Sequence, residues 1–267
     1  MVRVYGPRSA HRGPLAPEID AAVLELVRGL VPVPEVLEVR RADPDADIPG
    51  LLVVTRLRGE RLELLLPTLR DEQLERVGAE LGTLAGRLGH MVQPRPGLFI
   101  DRSLALAELP REARDLPAWV EFHAEHLEPS LVDGLLPVAD DAQDLLDEER
   151  RACLAHSDFN AKNLLVDPET LEVTGVLDWE FAHSGLPWTD LGNLLRFERH
   201  PILVEAVLAA YTELMPAVPD NVLDRARAAD LFALVELAAR PDANQVVVQA
   251  RQHLHAIART GDLHAVP

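Results

Sequence analysis

Cysteine is almost absent. Cys153 is the only one in 267 residues, which excludes an internal disulfide and agrees with a reducing compartment. Its neighbours Ala152, Leu154 and Ala155 make it a small buried residue in a short apolar run, not a thiol nucleophile working with nearby His156. Basic residues are outnumbered too: 26 Lys and Arg face 44 Asp and Glu, for a formal net charge of −18. That balance argues against nucleic acid and anionic membrane surfaces as partners, because binding to either rests on neutralising phosphates. It is compatible with a cationic small molecule, although acidic composition also serves solubility in general. Long apolar runs are missing. No stretch reaches the roughly eighteen residues that span a bilayer, and Met1 to Asp20 has neither the charged start nor the apolar centre of an export signal. A cytoplasmic location and no membrane partner are therefore expected. Metal-type histidine clusters are lacking as well: His123 and His126 lie three apart on a helical stretch without accompanying ligands. There is no internal repeat and no low-complexity tail. What is there is 48% hydrophobic residues at a mean hydropathy of +0.01, enough for a buried core arranged as one large domain or two lobes.

The most informative stretch is His156-Ser157-Asp158-Phe159-Asn160-Ala161-Lys162-Asn163, followed fifteen residues after Asn163 by Asp178-Trp179-Glu180. His-x-Asp, then four residues, Asn, and later a second Asp is the order that phosphoryl transfer to a hydroxyl requires. A loose transition state needs an aligned hydroxyl and metal-neutralised phosphate oxygens, so the protein supplies a carboxylate beside the acceptor and hard oxygen ligands for Mg²⁺. Asp158 is the candidate for the first task. Asn163 offers a neutral amide oxygen to a metal, and Asp178 completes the set as the second carboxylate. Leu164–Val166 and Val173–Leu177 read as β-prone runs around the turn at 167–170, so a hairpin carries Asp178 back beside Asn163. Singly, an Asp or Asn is most often a turn former or a helix cap; all the elements in order at these spacings point to function. His156 reads as structural, bridging the loop to backbone near Asp178 without a proton-transfer duty. Lys162 either reaches a transferring phosphate as a point charge or is an exposed loop lysine, and Asn160 is left without a role. A metal-dependent hydrolase built on His156 and Asp158 is set aside, because no further histidine lies at useful spacing.

From Leu154 to Arg196 the chain resembles the aminoglycoside phosphotransferase and choline kinase group, the antibiotic and metabolite kinases related to protein kinases. Trp179-Glu180 after the second Asp, where protein kinases have Phe-Gly, and Trp188-Thr189-Asp190-Leu191 carry that choice. The resemblance implies an α+β, bilobal protein kinase-like fold with a small β-rich N-lobe and a large, mainly helical C-lobe. It implies ATP as co-substrate, with Mg²⁺ on Asn163 and Asp178. It also implies that Asp190 ties the catalytic loop down through backbone hydrogen bonds, although Thr189 or Asp190 reads equally well as an N-cap.

The same resemblance places a nucleotide-binding pair at the start. Arg3, in the alternating run Val2-Arg3-Val4-Tyr5, stands where relatives usually have Lys, and Glu18, on a helix opening at Pro17, would be its ion-pair partner. Arg keeps the charge but forks rigidly; the plain alternative is an exposed strand residue and a first-turn acid favoured by the helix dipole. Thr55-Arg56-Leu57-Arg58-Gly59-Glu60 resembles the hinge between lobes, with backbone groups of Thr55 and Leu57 meeting adenine and Val54 bordering the base, or with Gly59 simply a turn glycine. Relatives carry two strands and a glycine-rich loop ahead of the basic strand, whereas this chain begins at that strand. Either the start is truncated or mis-assigned, which makes a partial N-lobe the expectation, or the nucleotide is held without that cover.

Elsewhere the patterning predicts strands at 36–39 and 51–55, an amphipathic helix from Asp71 to His90, helices at 116–131 and 141–151, and after the hairpin helices at 189–199, 202–214, 221–240 and 244–260. The expected division is a nucleotide-binding lobe over 1–58 and a helical lobe over 59–267. The expected function is transfer of the ATP γ-phosphate to a hydroxyl of a small molecule, an aminoglycoside, another antibiotic or a metabolite. The alternative is a catalytically weak nucleotide-binding module of the same fold.

Overall fold

The computed structural model describes residues 1–6, 12–43, 45–215 and 218–267. The chain divides into two compact units, one made of Met1–Glu108 and Ala152–Val218, the other of Leu109–Arg151 and Pro219–Pro267.

The first unit opens with strand β1 (Val2–Tyr5), helix α1 (Ala16–Val27) and strands β2 (Val36–Arg40) and β3 (Gly50–Val54), which form an antiparallel sheet in the order β1-β3-β2. Strand alternation decides which side chains face inward: Val2 and Val4 are exposed while Tyr5 is buried, so Arg3 and Tyr5 share the inner face. Helix α1 buries Ile19, Asp20, Val23 and Val27, and Pro17, which needs no N–H in a first turn, lies so close to β3 that a Cβ on Gly50 would sit 2.6 Å from its ring.

The chain then crosses Thr55–Gly59 into β4 (Glu60–Arg61) and the short helix α2 (Leu62–Leu65). Gly59 has φ +124°, and a Cβ there would meet Thr174 Oγ1 at 2.4 Å; both facts require glycine. Helix α3 (Asp71–Gly89) follows, then strands β5 (Val92–Gln93), β6 (Leu98–Phe99) and β7 (Leu106–Ala107). The rest of this unit lies beyond Arg151: β8 (Ala152–Ala155), the hairpin β9 (Leu164–Val166) and β10 (Val173–Val176), β11 (His183–Gly185), α6 (Thr189–Leu195) and α7 (Pro201–Leu214). Strand β8, which carries Cys153, is buried throughout between β5 and β11, and β9 lies between β10 and β4.

The second unit is helical: α4 (Leu116–His123), α5 (Pro129–Asp147), α8 (Val222–Ala239) and α9 (Gln245–Thr260). Its sequence boundaries need one correction. Helices were expected over 116–131 and 141–151, but the break falls after His126 and a single helix runs through Pro137 to Asp147. The stop signal is Pro129, whose fixed φ suits the first turn of the next helix; Pro137 interrupts one backbone hydrogen bond without ending α5. Asn244 caps α9 by accepting from the Val247 N–H at 3.1 Å, and Gly261 closes it at φ +72°. No described helix is long and apolar enough to cross a membrane.

Candidate active site

Strand β8 ends at Ala155, and the chain enters the loop that carries the chemistry. His156 is fully buried. Its Nε2 lies 2.9 Å from the Leu177 carbonyl, and its Nδ1 accepts the Asp158 N–H at 3.1 Å. A carbonyl only accepts, so the proton sits on Nε2 and the ring is neutral; burial, the largest influence, pushes the imidazole below its ordinary value and favours the same state. The ring also meets Trp179 edge-on, 4.5 Å between centroids.

Asp190, in the first turn of α6, does not cap that helix. Its Oδ2 accepts from the His156 N–H and its Oδ1 from the Ser157 N–H, both at 2.9 Å. Burial raises this carboxyl, against the lowering pull of the two N–H groups. Ser157 Oγ lies 2.8 Å from His183 Nδ1, which also approaches the Phe181 carbonyl at 3.2 Å. Ser157 and Asp178 both have φ +65°, a left-handed backbone that costs a non-glycine residue ~1–3 kcal/mol and persists only where its surroundings impose it. Here the surroundings are the Asp190 carboxylate around Ser157 and, before Asp178, the hydrogen bond from Leu177 N–H to the Asn163 carbonyl at 2.8 Å.

Around Asp158 the side chains converge. Asn160 Nδ2 donates to its Oδ1 at 2.6 Å, Asn163 Nδ2 to its Oδ2 at 2.7 Å, and Lys162 Nζ lies 3.1 Å from that same oxygen. Asn160, to which sequence reasoning gave no role, is thus one of the groups that aims the carboxylate. Lys162 is the sole lysine of the sequence, and its side chain is half exposed. Because the Asn163 amide nitrogen also donates to the Asp158 carbonyl at 2.9 Å, its amide oxygen is turned away from Asp158. The hairpin register, Val176 opposite Leu164, brings Asp178 back to this end of the loop.

On the sheet side the expected ion pair is absent. Glu18 pairs with Arg41 at 3.0 Å near the surface, and Arg3 turns instead to Asp178, at 2.7 Å, and to Glu180. The inner face of β1 aims Arg3 at the segment after the hairpin, and Arg41 takes both carboxylate oxygens of Glu18. Burial lowers the Arg3 guanidinium, but Asp178 and Glu180 outweigh it and leave it raised. Sequence reasoning missed Glu180, Ser157, His183 and the trio Tyr5, Asp20 and Arg12; only the inward alternation of Tyr5 beside Arg3 was a legible hint. In the segment expected to form the hinge, the Thr55 N–H donates to the Glu35 carbonyl at 2.9 Å, which leaves its carbonyl as the group that could meet a base. The Val54 side chain is buried in the sheet, and the Leu57 side chain lies over Gly175, where a Cβ would be 2.7 Å away.

Mg²⁺ prefers oxygen ligands, typically one or two carboxylates completed by water and phosphate. The donor set fits: the Asn163 amide oxygen and the Asp178 carboxylate are hard oxygen groups at one end of the hairpin. Among the described residues no group of three or more His, Cys, Asp and Glu assembles.

A family model described as the phosphotransferase enzyme family matches residues 2–231. The chain belongs to the phosphotransferase enzyme family. The fold agrees with that membership. A crystal structure of aminoglycoside phosphotransferase APH(4)-Ia superimposes with a TM-score of 0.70 at 16% identity, over 98% of this chain and 86% of that one. The GDP complex of aminoglycoside 2'-phosphotransferase-IIIa gives 0.65 at 16% identity, over 94% and 84%. At that identity the likeness is one of fold, the α+β bilobal architecture of the protein kinase-like class. In sequence, this chain is 39% identical over 59 residues to mouse acyl-CoA dehydrogenase family member 11, a match spanning 22% of this chain and 8% of that protein. The chain therefore covers less than a tenth of the length of that relative.

Proposed function

We propose that this phosphotransferase moves the γ-phosphate of ATP to a hydroxyl of a small molecule, with Asp158 orienting the acceptor and Asn163 and Asp178 holding Mg²⁺. The observation that carries the reading is the Asp158 carboxylate, held between two asparagine amides and Lys162 at 2.6, 2.7 and 3.1 Å. Three donors fix its direction before any substrate arrives, which is how a protein lowers the entropy cost of aligning an acceptor. An incoming hydroxyl presents its proton to that carboxylate, and Lys162 is close enough to offset charge on the transferring group. The bound metal would neutralise phosphate oxygens. Arg3 would face the same phosphates once it shares Asp178 with the metal, and the hinge backbone at Thr55 and Leu57, with Val54 beside it, would take the base. The residues 1–58 then form the nucleotide lobe. Neighbours of the same fold include a ternary complex with ADP and hygromycin B, which supports a nucleotide and a hydroxyl-bearing, amine-rich acceptor; the net charge of −18 suits a cationic one.

The test is phosphorylation of a panel of candidate acceptors with MgATP, comparing the wild type with Asp158→Ala. Loss of the positioned carboxylate is expected to lower kcat by ~10²–10⁴-fold while leaving nucleotide affinity within a few-fold. An Asp158→Ala protein that turns over at near the wild-type rate overturns the reading. Magnesium-dependent binding of ATP with no turnover on any acceptor would favour the weak nucleotide-binding module instead.

A further inference from the structure

Helix α1 does reach the phosphate end of the site, but through Asp20 instead of Glu18. Asp20 is 3% exposed and both of its carboxylate oxygens are engaged. Oδ2 accepts from the Tyr5 hydroxyl at 2.6 Å, and Oδ1 from Arg12 Nη1 at 2.8 Å. Each partner continues to the same segment of chain. The Tyr5 ring lies beneath the Arg3 guanidinium, 5.1 Å from its centroid, in the geometry of a cation–π contact, and Arg3 binds Asp178 and Glu180. Arg12, nearly buried, donates its other nitrogen to the Ala182 carbonyl. Two arms from one carboxylate thus grip the two ends of Asp178–Ala182, the segment that carries a proposed magnesium ligand in a left-handed turn.

Burying an acid, a phenol and a guanidinium together is costly unless each is satisfied, and here each is. Burial, then Asp20, hold the Tyr5 phenol well above its ordinary range, so it stays a donor. Burial lowers Arg12 against the pull of Asp20. A network that is complete only when α1 and the Asp178 segment are both in place links the two.

We propose that Asp20 is a positioning residue for the magnesium-nucleotide site, acting through Tyr5–Arg3 on one side and Arg12 on the other to fix Asp178. The proposal rests on the phosphotransfer reading above. The experiment uses the full chain and measures ADP affinity calorimetrically across a magnesium series, together with thermal unfolding and the KM for MgATP, for wild type, Asp20→Asn and Tyr5→Phe. Asp20→Asn is expected to raise the half-saturating magnesium concentration about tenfold, the lower end of what loss of a residue supporting a metal ligand brings. KM for MgATP should rise with it, while kcat at saturating magnesium changes little. Tyr5→Phe, which removes one arm only, should shift the magnesium dependence in the same direction by a smaller factor. A lower Tm with an unchanged magnesium requirement in both variants overturns the proposal and leaves Asp20 a structural residue. Should Asp20→Asn not fold, the Tyr5→Phe shift decides. Wild-type protein whose ADP affinity ignores magnesium would instead overturn the phosphotransfer reading, and this inference with it.

Discussion

Asp190 shows how a single atom pattern sets the loop. Two backbone N–H groups point at it and each needs an acceptor, which a carboxylate supplies twice and an amide only once. Asp190→Asn is therefore expected to leave one buried N–H against an amide NH₂, at ~1–3 kcal/mol for the unsatisfied donor, and to lower both Tm and kcat. Thermal unfolding and steady-state rates of the variant check this; wild-type values in both would show that the pair at 2.9 Å does not govern the loop. At this scale the sequence marked Asp158, Lys162 and Asn163 as one run, with Asn163 expected on a metal and Lys162 on a phosphate. That one short helical turn brings both back to the Asp158 carboxylate was not read. Arg3 was not readable either: its partners stand 175 and 177 residues away, and a first-turn glutamate 15 residues on was the nearer candidate on paper.

Between elements, the closest fit is between α3 and α7. The expected apolar positions of α3, among them Leu74, Val77, Leu81, Leu84, Ala85 and Leu88, are buried, as the 3.6-residue period requires. The glycines between them decide how near α7 comes. A Cβ on Gly82 would lie 2.1 Å from the Val207 carbonyl, and one on Gly78 2.9 Å from the Ala206 Cβ. Gly82→Ala would raise helix propensity in an isolated helix, yet in this contact it must push α7 away. The expected result is a loss of ~1–3 kcal/mol, read as a lower Tm. A Tm equal to or above the wild type would mean that the helices separate freely. The amphipathic period predicts that α3 is buried but not against which helix, since apolar side chains select burial without selecting a neighbour.

For the whole molecule the sign of the pH response follows from two imidazoles, His156 fully buried and His183 partly so. His156 and His183 are both pushed below the ordinary 6.5 by burial. As pH falls through 6.5 the unfolded chain takes up protons that the folded chain refuses, so the stability these groups contribute is full above 6.5 and is lost progressively as pH drops toward their folded values. Asp190 works the opposite way, its raised carboxyl taking a proton in the fold before the unfolded chain does, and offsets part of the loss. A Tm that declines over the first pH unit below 6.5 is expected in thermal unfolding scans. A flat Tm across that unit would mean that the histidines titrate as in an unfolded chain.

The sequence by itself determined the family, the fold class and most elements to within a few residues, and it marked the candidate groups from His156 to Asp178. Those groups sit on one loop and one hairpin, where residue type and spacing fix hydrogen bonds over short stretches of chain. Tertiary structure alone decided that Arg3 faces Asp178 and Glu180 and that the buried acid of α1 is Asp20, and it chose the loop over the helix cap between the two readings of Asp190. Each of those choices depends on which side chain is withdrawn from water and which distant donor lies within 3 Å of it, and that is settled only when the sheet, helix and hairpin have packed.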